Sequence, residues 1–435
     1  MITQKEYQMR RRELARRLPP DSIAVIPAAS ELLRNGDSHY RFRQDSDFYY
    51  LTGFSEPDAL LLISAGPLGE SILFNRPRDR AQEQWTGRRL GQEGACDALG
   101  IDAAYPLASL EVRLPELFLN KHAIYYAVGR YPAWASRIFD AWQVVKGQVR
   151  HGVVAPEAFC DLAPILGEIR LFKSTAEIEL MQRAAAISIE AHQRAMRACL
   201  DASHEYQLEA ELLYEFSRQG CRSVAYDPIV AGGSNACILH YTENNAPLRS
   251  GDLVLIDAGG EFENYAADIT RTFPRNGRFS TEQRLIYELV LRSQKAGMAC
   301  VRPGCAWDEV QQAIVQVMTA GLVELGLLQG SISGLMESGA YKPFYMHQSG
   351  HWLGLDVHDC GHYKIQGKWR SLEPGMVLTV EPGLYISSDI QGVDRRWWGI
   401  GVRIEDDILV TKEGYTNLSQ DLAVEIDDLE ALVRG

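Results

Sequence analysis

The sequence predicts two domains: an α/β domain over residues 1–170 and an α+β domain over residues 171–435 that contains an internal duplication. Three observations lead to this prediction. The chain has 435 residues, which is enough for two hydrophobic cores. The first part alternates short apolar runs with helical patterns, and the second part repeats one order of helices and strands.

The first 170 residues show an amphipathic helix followed by short strands. The helical pattern covers residues 5–18 and ends at Pro19 and Pro20. Four apolar runs bounded by turn residues predict strands, and they cover residues 22–27, 59–65, 71–75 and 123–128. This order of elements is typical of an α/β domain.

Two further segments of this domain have unusual composition. Residues 40–54 are rich in aromatic and charged side chains, which fits either ordinary packing or a surface that meets another domain or subunit. Residues 76–91 are polar, contain Trp85, and predict an exposed loop.

The second part contains the same order of elements twice. Ser174 and Glu177 fit a capping box before a long helix, which is followed by a helix over 205–219 and a strand over 253–257. Ser280 and Gln283 fit another capping box before a helix that runs to about residue 300. A break at residues 303–304, a second helix over 308–328 and a strand over 377–381 follow.

The strands of both halves end in acids. Residues 251–259 and 375–383 share a leading Gly, alternating apolar positions and a terminal acid, Asp257 or Glu381. A second acid, Asp268 or Glu405, then stands beside another strand-like run. Two halves related by a pseudo-two-fold axis would bring these carboxylates to one place. They would repel one another there unless cations held them.

The segment 346–359, MHQSGHWLGLDVHD, supplies histidines to this set. His351 and His358 stand seven positions apart, which places them on opposite faces of a strand, so a loop or strand end is the expected carrier. One histidine with four carboxylates suits two divalent ions such as Mn²⁺ better than a single tetrahedral Zn²⁺.

Such a site predicts amide hydrolysis. Two ions about 3.5–4 Å apart lower the pKa of a bridging water to roughly 7, so that hydroxide can attack a polarised carbonyl. His240 and His358 are candidate donors to the resulting oxyanion, and Glu381 is a candidate carrier of the proton to the leaving nitrogen.

Composition and missing motifs exclude other classes. The net charge of −13 argues against nucleic-acid or anionic-membrane partners. The first twenty residues lack the apolar stretch of a secretory signal and no window could span a bilayer, so we expect a cytoplasmic protein. HExxH, GxSxG and GxxxxGK[ST] are absent, which weakens single-zinc protease, serine hydrolase and P-loop interpretations.

Several long segments resemble the Xaa-Pro aminopeptidases (aminopeptidase P) of the pita-bread metallopeptidases. The likeness covers nearly the whole chain. Its segments are HYTEN (240–244), LIDAG (255–259), ADITRTFP (267–274), HWLGLDVHD (351–359), LEPGMVLTVEPGLY (372–385) and GIGVRIEDD (399–407), with RQDSDFYYLTGFSEPDALLL (43–62) and WTGRRLG (85–91) in the first domain.

The resemblance implies an aminopeptidase P type N-terminal domain and a pita-bread (creatinase/aminopeptidase) catalytic domain with a dinuclear site, usually of Mn²⁺. Asp257 would bind one ion, Asp268 and Glu405 would bridge both, and His351 with Glu381 would complete the second. Further implied site residues, which contact substrate or surround the metals, are His240, His347, His358, Tyr385 and Arg403.

The resemblance also implies the substrate and the assembly. The substrate is a peptide with proline in second position, from which the first residue is released. Bacterial members are commonly homo-oligomers, so a dimer or tetramer is expected, with Trp85 reaching toward a neighbouring subunit's site.

Alternatives remain at this point. Prolidase, which takes only dipeptides, shares the same ligands, and Co²⁺ or Zn²⁺ could replace Mn²⁺. A creatinase-like enzyme without metal and a catalytically silent binding module would both be expected to lack ligands that are present here. Methionine aminopeptidase fits less well because residues 1–170 form an extra domain.

Overall fold

The computed structural model describes residues 1–435 and divides into two compact units, Met1–Arg170 and Leu171–Gly435. None of the helices combines the length and apolarity needed to cross a membrane.

The first unit is built on one six-stranded sheet with the strand order β6-β5-β4-β1-β7-β8. Its helices are α1 (Gln4–Arg17), α2 (Ser46–Thr52), α3 (Arg80–Thr86), α4 (Gly91–Leu99), α5 (Leu110–Phe118), α6 (Pro132–Gly147) and α7 (Ala163–Arg170). Its strands are β1 (Ser22–Pro27), β2 (Leu33–Asn35), β3 (Ser38–His39), β4 (Leu60–Ser64), β5 (Ser71–Asn75), β6 (Ala103–Pro106), β7 (Ala123–Tyr126) and β8 (Ala158–Asp161).

The sheet of the first unit is mixed. β4 pairs antiparallel with β1 and β5, whereas β1–β7, β5–β6 and β7–β8 are parallel. Apolar side chains of these strands, such as Val25, Phe74 and Ile124, pack with Leu114 and Ile138 of α5 and α6. The predicted helix and four strands of this domain are confirmed, with boundaries shifted by no more than two residues.

Two expectations for the first unit need comment. The prediction that residues 76–91 form a loop is wrong in part, because Asp79 caps α3 by accepting hydrogen bonds from the amides of Ala81 and Gln82. The segment is nevertheless exposed, since no residue of α3 is buried. Within residues 40–54, every residue of α2 is buried, which favours ordinary packing for that part of the segment.

The second unit contains the duplicated elements. Its helices are α8 (Thr175–Ala198), α9 (Glu205–Arg218), α10 (Thr281–Cys300), α11 (Trp307–Glu324), α12 (Ile332–Ser338) and α13 (Ile426–Arg434). Its strands are β9 (Ser223–Val224), β10 (Ile229–Gly232), β11 (Leu253–Asp257), β12 (Gly260–Phe262), β13 (Tyr265–Ala266), β14 (Thr270–Pro274), β15 (Lys364–Ile365), β16 (Lys368–Trp369), β17 (Val377–Val380), β18 (Gly383–Ile386), β19 (Ile400–Arg403), β20 (Asp406–Val410) and β21 (Tyr415–Asn417).

Each half pairs two long helices with a three-stranded sheet. In the first half α8 and α9 accompany β10-β11-β14, and in the second half α10 and α11 accompany β17-β20-β21. Both predicted capping boxes are present, at the starts of α8 and α10. One hydrophobic core, with Val254, Ile256, Leu378, Val380 and Ile408 among its members, joins the two halves.

Candidate active site

The acids of the two halves meet because their strands pair. Asp257 ends β11 and lies opposite Thr270 of β14, two residues beyond Asp268. In the second half Val380, which precedes Glu381, lies opposite Asp406, which follows Glu405. The Glu405 amide donates to the carbonyl oxygen of Thr270 at 3.1 Å, so an isolated bridge connects the two acid-bearing regions.

The acidic side chains line a cavity of about 990 Å³. The predicted site residues that line it are His240, Asp257, Asp268, His347, His351, His358, Glu381, Arg403 and Glu405. Tyr385 stands behind this wall, where its hydroxyl contacts Arg403 and His347. The structure therefore brings all ten predicted metal and catalytic positions to one place.

Three of the expected ligands form the closest group. The ligand atoms of Asp268, His351 and Glu405 lie within 4.8 Å of one another. His351 Nε2 is 3.2 Å from Asp268 Oδ2 and 3.7 Å from Glu381 Oε1. Asp257 is connected to this group by the Tyr226 hydroxyl, which hydrogen-bonds to both Asp257 and Asp268.

Arg403 provides a positive charge within this group. Its Nη2 lies 2.5 Å from Asp257 Oδ2, and its Nη1 donates to the Tyr385 hydroxyl at 3.0 Å. The same hydroxyl lies 2.9 Å from His347 Nε2. One guanidinium thus faces several carboxylates and pairs directly with Asp257.

The histidines are carried by irregular backbone rather than by strands. Within the histidine loop, residues 346–359, the rings of His351 and His358 lie 4.3 Å apart, edge to face. The loop lies along β17: the Thr379 amide donates to the carbonyl oxygen of His351 at 3.0 Å, and the Glu381 amide donates to that of Ser349 at 2.9 Å.

Like charges in a buried place raise the pKa values of most of these acids. Burial, together with Asp268, Glu381 and Asp257, raises the pKa of Glu405 well above its ordinary value. Burial raises the pKa of Glu381 to about 7 and, with the help of Asp257, raises that of Asp268. At Asp257 burial also acts to raise the pKa, but Arg403 and the Tyr226 hydroxyl outweigh it, and the pKa is lowered.

The histidines divide into two kinds. At His351 the carboxylates of Asp268 and Glu381 outweigh burial and raise the pKa to about 9. Burial and Arg403 lower the pKa of His347 to about 4, and burial with His351 and His240 lowers that of His358. His347 and His358 are therefore neutral at pH 7 and can offer one N–H donor each.

The donor set fits divalent cations. Four carboxylates and one imidazole converge at a single buried place, and the Arg403 guanidinium with a protonated His351 supplies only two positive charges for them. Burial and the neighbouring carboxylates raise the pKa values of Glu405, Glu381 and Asp268, and bound cations would offset both effects. Oxygen-rich sets with one imidazole suit Mn²⁺, Co²⁺ and Zn²⁺.

Some functional positions were not foreseen from the sequence. Tyr226 precedes β10 in an irregular segment, and Thr270 donates from Oγ1 to Glu405 Oε2 at 2.6 Å. Gln311 of α11 accepts from both the amide and the hydroxyl of Ser349. Thr270 lies inside the ADITRTFP segment and could have been found there, whereas nothing in the local pattern marks Tyr226 or Gln311.

Comparisons with known proteins agree with this architecture. The model of metallopeptidase family M24 matches residues 179–412, and that of the aminopeptidase P N-terminal domain matches residues 7–125. The Xaa-Pro aminopeptidase of Escherichia coli (strain K12) is 46% identical over 435 residues, covering 99% of this chain and 98% of the relative.

Solved structures are equally similar. The Pseudomonas aeruginosa aminopeptidase PepP has a TM-score of 0.97 at 49% identity, covering 100% of this chain and 98% of that chain. A zinc-substituted E. coli aminopeptidase P in complex with product has a TM-score of 0.97 at 46% identity, with the same coverage.

Fold and site together define a pita-bread metallopeptidase. More particularly, the chain belongs to metallopeptidase family M24 and has an aminopeptidase P type N-terminal domain. The expected fold class and the resemblance to Xaa-Pro aminopeptidases are thereby confirmed, and the named relatives are enzymes of the predicted class.

Proposed function

We propose that this chain is an Xaa-Pro aminopeptidase that hydrolyses the bond between an N-terminal residue and a following proline. The observation that carries the proposal is the convergence of all five expected ligands with three histidines in one cavity. Relatives named Xaa-Pro aminopeptidase support the same reaction, and those of Escherichia coli and Haemophilus influenzae match along 98% of their own length.

The proposed cofactor is a pair of divalent ions, with Mn²⁺ as the leading candidate and Co²⁺ or Zn²⁺ as alternatives. Asp257 would hold one ion, Asp268 and Glu405 would bridge both, and His351 with Glu381 would complete the second. When bound, such ions supply a nucleophile by lowering the pKa of a water molecule, and they polarise the scissile carbonyl.

The remaining residues would act on the peptide itself. His240 and His358 would donate hydrogen bonds to substrate and to the carbonyl oxygen as negative charge develops there. Glu381 would carry a proton to the leaving proline nitrogen. Arg403 and Tyr385 would hold Asp257 and His347 in place, a role supported by the chain of contacts from Asp257 through Arg403 and Tyr385 to His347.

The assembly belongs to the same proposal. We expect a homo-oligomer, a dimer or tetramer, in which Trp85 lies near a neighbouring subunit's site. The Trp85 side chain is 86% exposed on a helix without buried residues, which supports a role outside its own unit. Light scattering should give more than one chain per particle, and Trp85→Ala should reduce activity without unfolding the chain. The cytoplasmic location remains a prediction from the sequence.

The experiment that tests the reaction compares a Xaa-Pro dipeptide with a Xaa-Pro-Xaa tripeptide, each in Mn²⁺ and after chelation. Release of the first residue from the tripeptide, lost on chelation and restored by Mn²⁺, is the expected result. Cleavage confined to the dipeptide would make the chain a prolidase with the same metal site. Full activity in a metal-free preparation would contradict the metal assignment.

A further inference from the structure

A lysine and the last residue of the histidine loop, an aspartate, form an ion pair in the interior of the second unit. Lys173 Nζ lies 3.0 Å from Asp359 Oδ2, and each side chain is 1% exposed. Neither residue lines the cavity, and the function proposed above uses neither. Since removing two charges from water offsets most of their attraction, stability alone is a weak reason for such a pair.

Asp359 occupies the interior of the turn that it closes. Its amide donates to the carbonyl oxygen of Trp352 at 2.9 Å, which joins the two ends of the segment 352–359. Its carboxylate lies against the backbone of Gly354, where an added Cβ would come within 2.2 Å of Asp359 Oδ2. His358 directly precedes this aspartate and His351 directly precedes Trp352, so the closed turn determines how far apart the two imidazoles stand.

Lys173 connects this turn to the strand that leads to Glu381. Its amide donates to the carbonyl oxygen of Gly375 at 2.8 Å, at the entry to β17, and its ammonium also donates to the carbonyl oxygen of Leu171 at 3.4 Å. Ser174, the next residue, caps α8. The ammonium is therefore held by backbone on one side and reaches Asp359 on the other.

We propose that the Lys173–Asp359 pair is a positioning device that holds the turn 352–359 closed, so that His358 faces the substrate beside His351. The two residues act through His358 and touch neither substrate nor metal. Because the kinetic consequence rests on the proposed aminopeptidase function, the test also needs a readout that does not depend on activity.

The variants separate positioning from stability. Lys173→Met and Asp359→Asn each remove one charge of this pair and leave the opposite charge buried, so both should unfold at a lower temperature than wild type. The double variant K173M/D359N contains neither charge and should recover most of the unfolding temperature. If the pair positions the turn, all three variants lose kcat by about 10- to 100-fold. KM should change by less than about threefold, because the contact that His358 makes strengthens mainly as negative charge develops on the carbonyl oxygen. The metal content should stay at the wild-type level.

Hydrogen exchange supplies the readout that is independent of activity. In the double variant the amides of residues 352–359 should exchange faster than in wild type, while the rest of the second unit exchanges as before. A matched control is the buried pair Asp47–Arg170 of the first unit, at 2.6 Å. The variant D47N/R170M should show no change in the exchange of residues 352–359 and no loss of kcat.

The outcomes test the positioning role of the ion pair separately from the proposed aminopeptidase function. A double variant with wild-type kcat and wild-type exchange in residues 352–359 would overturn the positioning role. If wild type itself released no residue from Xaa-Pro peptides, the proposed function would fail. The exchange measurement would then still decide the positioning role, since unchanged protection of residues 352–359 would refute it.

Discussion

The carboxylates and the histidines of the site are placed by different means. Asp257 ends a strand, and Asp268, Glu381 and Glu405 each lie within two residues of one, so the repeated hydrogen bonds of two sheets set their positions. The histidine loop has only a short run of backbone hydrogen bonds to β17, around the bridge between Trp352 and Leu378. Beyond that run it depends on individual side-chain contacts to Gln311 and Lys173. The carboxylate positions should therefore tolerate loss of a supporting contact better than the histidine positions do.

Removing a ligand should have the largest effect and should not distinguish the two regions. Asp257→Asn and His351→Ala are both expected to abolish measurable peptide hydrolysis, by more than the roughly 100-fold that loss of a supporting contact costs. Bound metal, measured by mass spectrometry, should fall in both. Retention of wild-type metal content by either variant would remove that residue from the ligand set.

Removing a histidine that is not a ligand should separate chemistry from metal binding. For His358→Ala we expect kcat to fall by about 10²–10³-fold, the usual loss when one donor to a developing oxyanion is deleted. The metal content should be unchanged, because His358 is not among the five expected ligands. Turnover at the wild-type rate would show that His358 has no part in the reaction.

Removing one supporting contact from each region tests the comparison directly. Gln311→Ala deletes the acceptor for the amide and hydroxyl of Ser349 and should lower kcat/KM by about 10-fold. Thr272→Val deletes a hydroxyl of β14 that donates to the carbonyl oxygen of Arg403 at 3.0 Å and accepts from the Arg403 amide at 3.2 Å. The β11–β14 ladder and the backbone bridge between Thr270 and Glu405 remain, so the loss should stay below about threefold. Equal losses in the two variants would contradict the comparison.

Protonation of His192, which lies beside the strand that carries Asp257, should have the smallest effect on activity and a measurable effect on stability. His192 of α8 is fully buried, and its Nε2 donates to the carbonyl oxygen of Ala258, next to Asp257, at 2.9 Å. Burial lowers its pKa from 6.5 to about 4. Between pH 6.5 and pH 4 the unfolded chain therefore binds a proton at His192 that the folded chain does not bind. The free energy of unfolding falls as the pH drops through this range.

His192→Gln keeps an amide donor but cannot titrate. Between pH 7 and pH 5 the wild type should lose about 2 kcal/mol of unfolding free energy more than this variant. Activity at pH 7 should stay close to that of wild type. Denaturant unfolding at the two pH values measures the difference, and parallel losses would show that His192 is protonated in the folded chain.

The same contrast explains what the sequence could predict. Alternating apolar positions that end in an acid predict a strand and its ligand together, so the neighbourhood of Asp257 and Glu381 follows from local pattern. The α3 helix was missed because a polar segment carries no apolar periodicity, and its cap at Asp79 was the only local signal. The roles of the individual site residues remain predictions.

Contacts between residues that are far apart in the sequence could not be predicted from local pattern. Lys173 and Asp359 are separated by 186 positions, and Tyr226 meets Asp268 across 42. Such pairs depend on how whole elements pack, which no short window of sequence records. The resemblance to a known family supplied the ligand set but not these supporting residues.

The duplication of the second unit also sets an order of events during synthesis. The first half contributes Asp257 and Asp268, whereas His351, Glu381 and Glu405 all come from the second half. A nascent chain that has completed only its first half has two of the five expected ligands, and both are carboxylates. Only a chain with both halves translated offers all five expected ligands, and in the folded chain a backbone bridge between Thr270 and Glu405 joins the two acid-bearing regions.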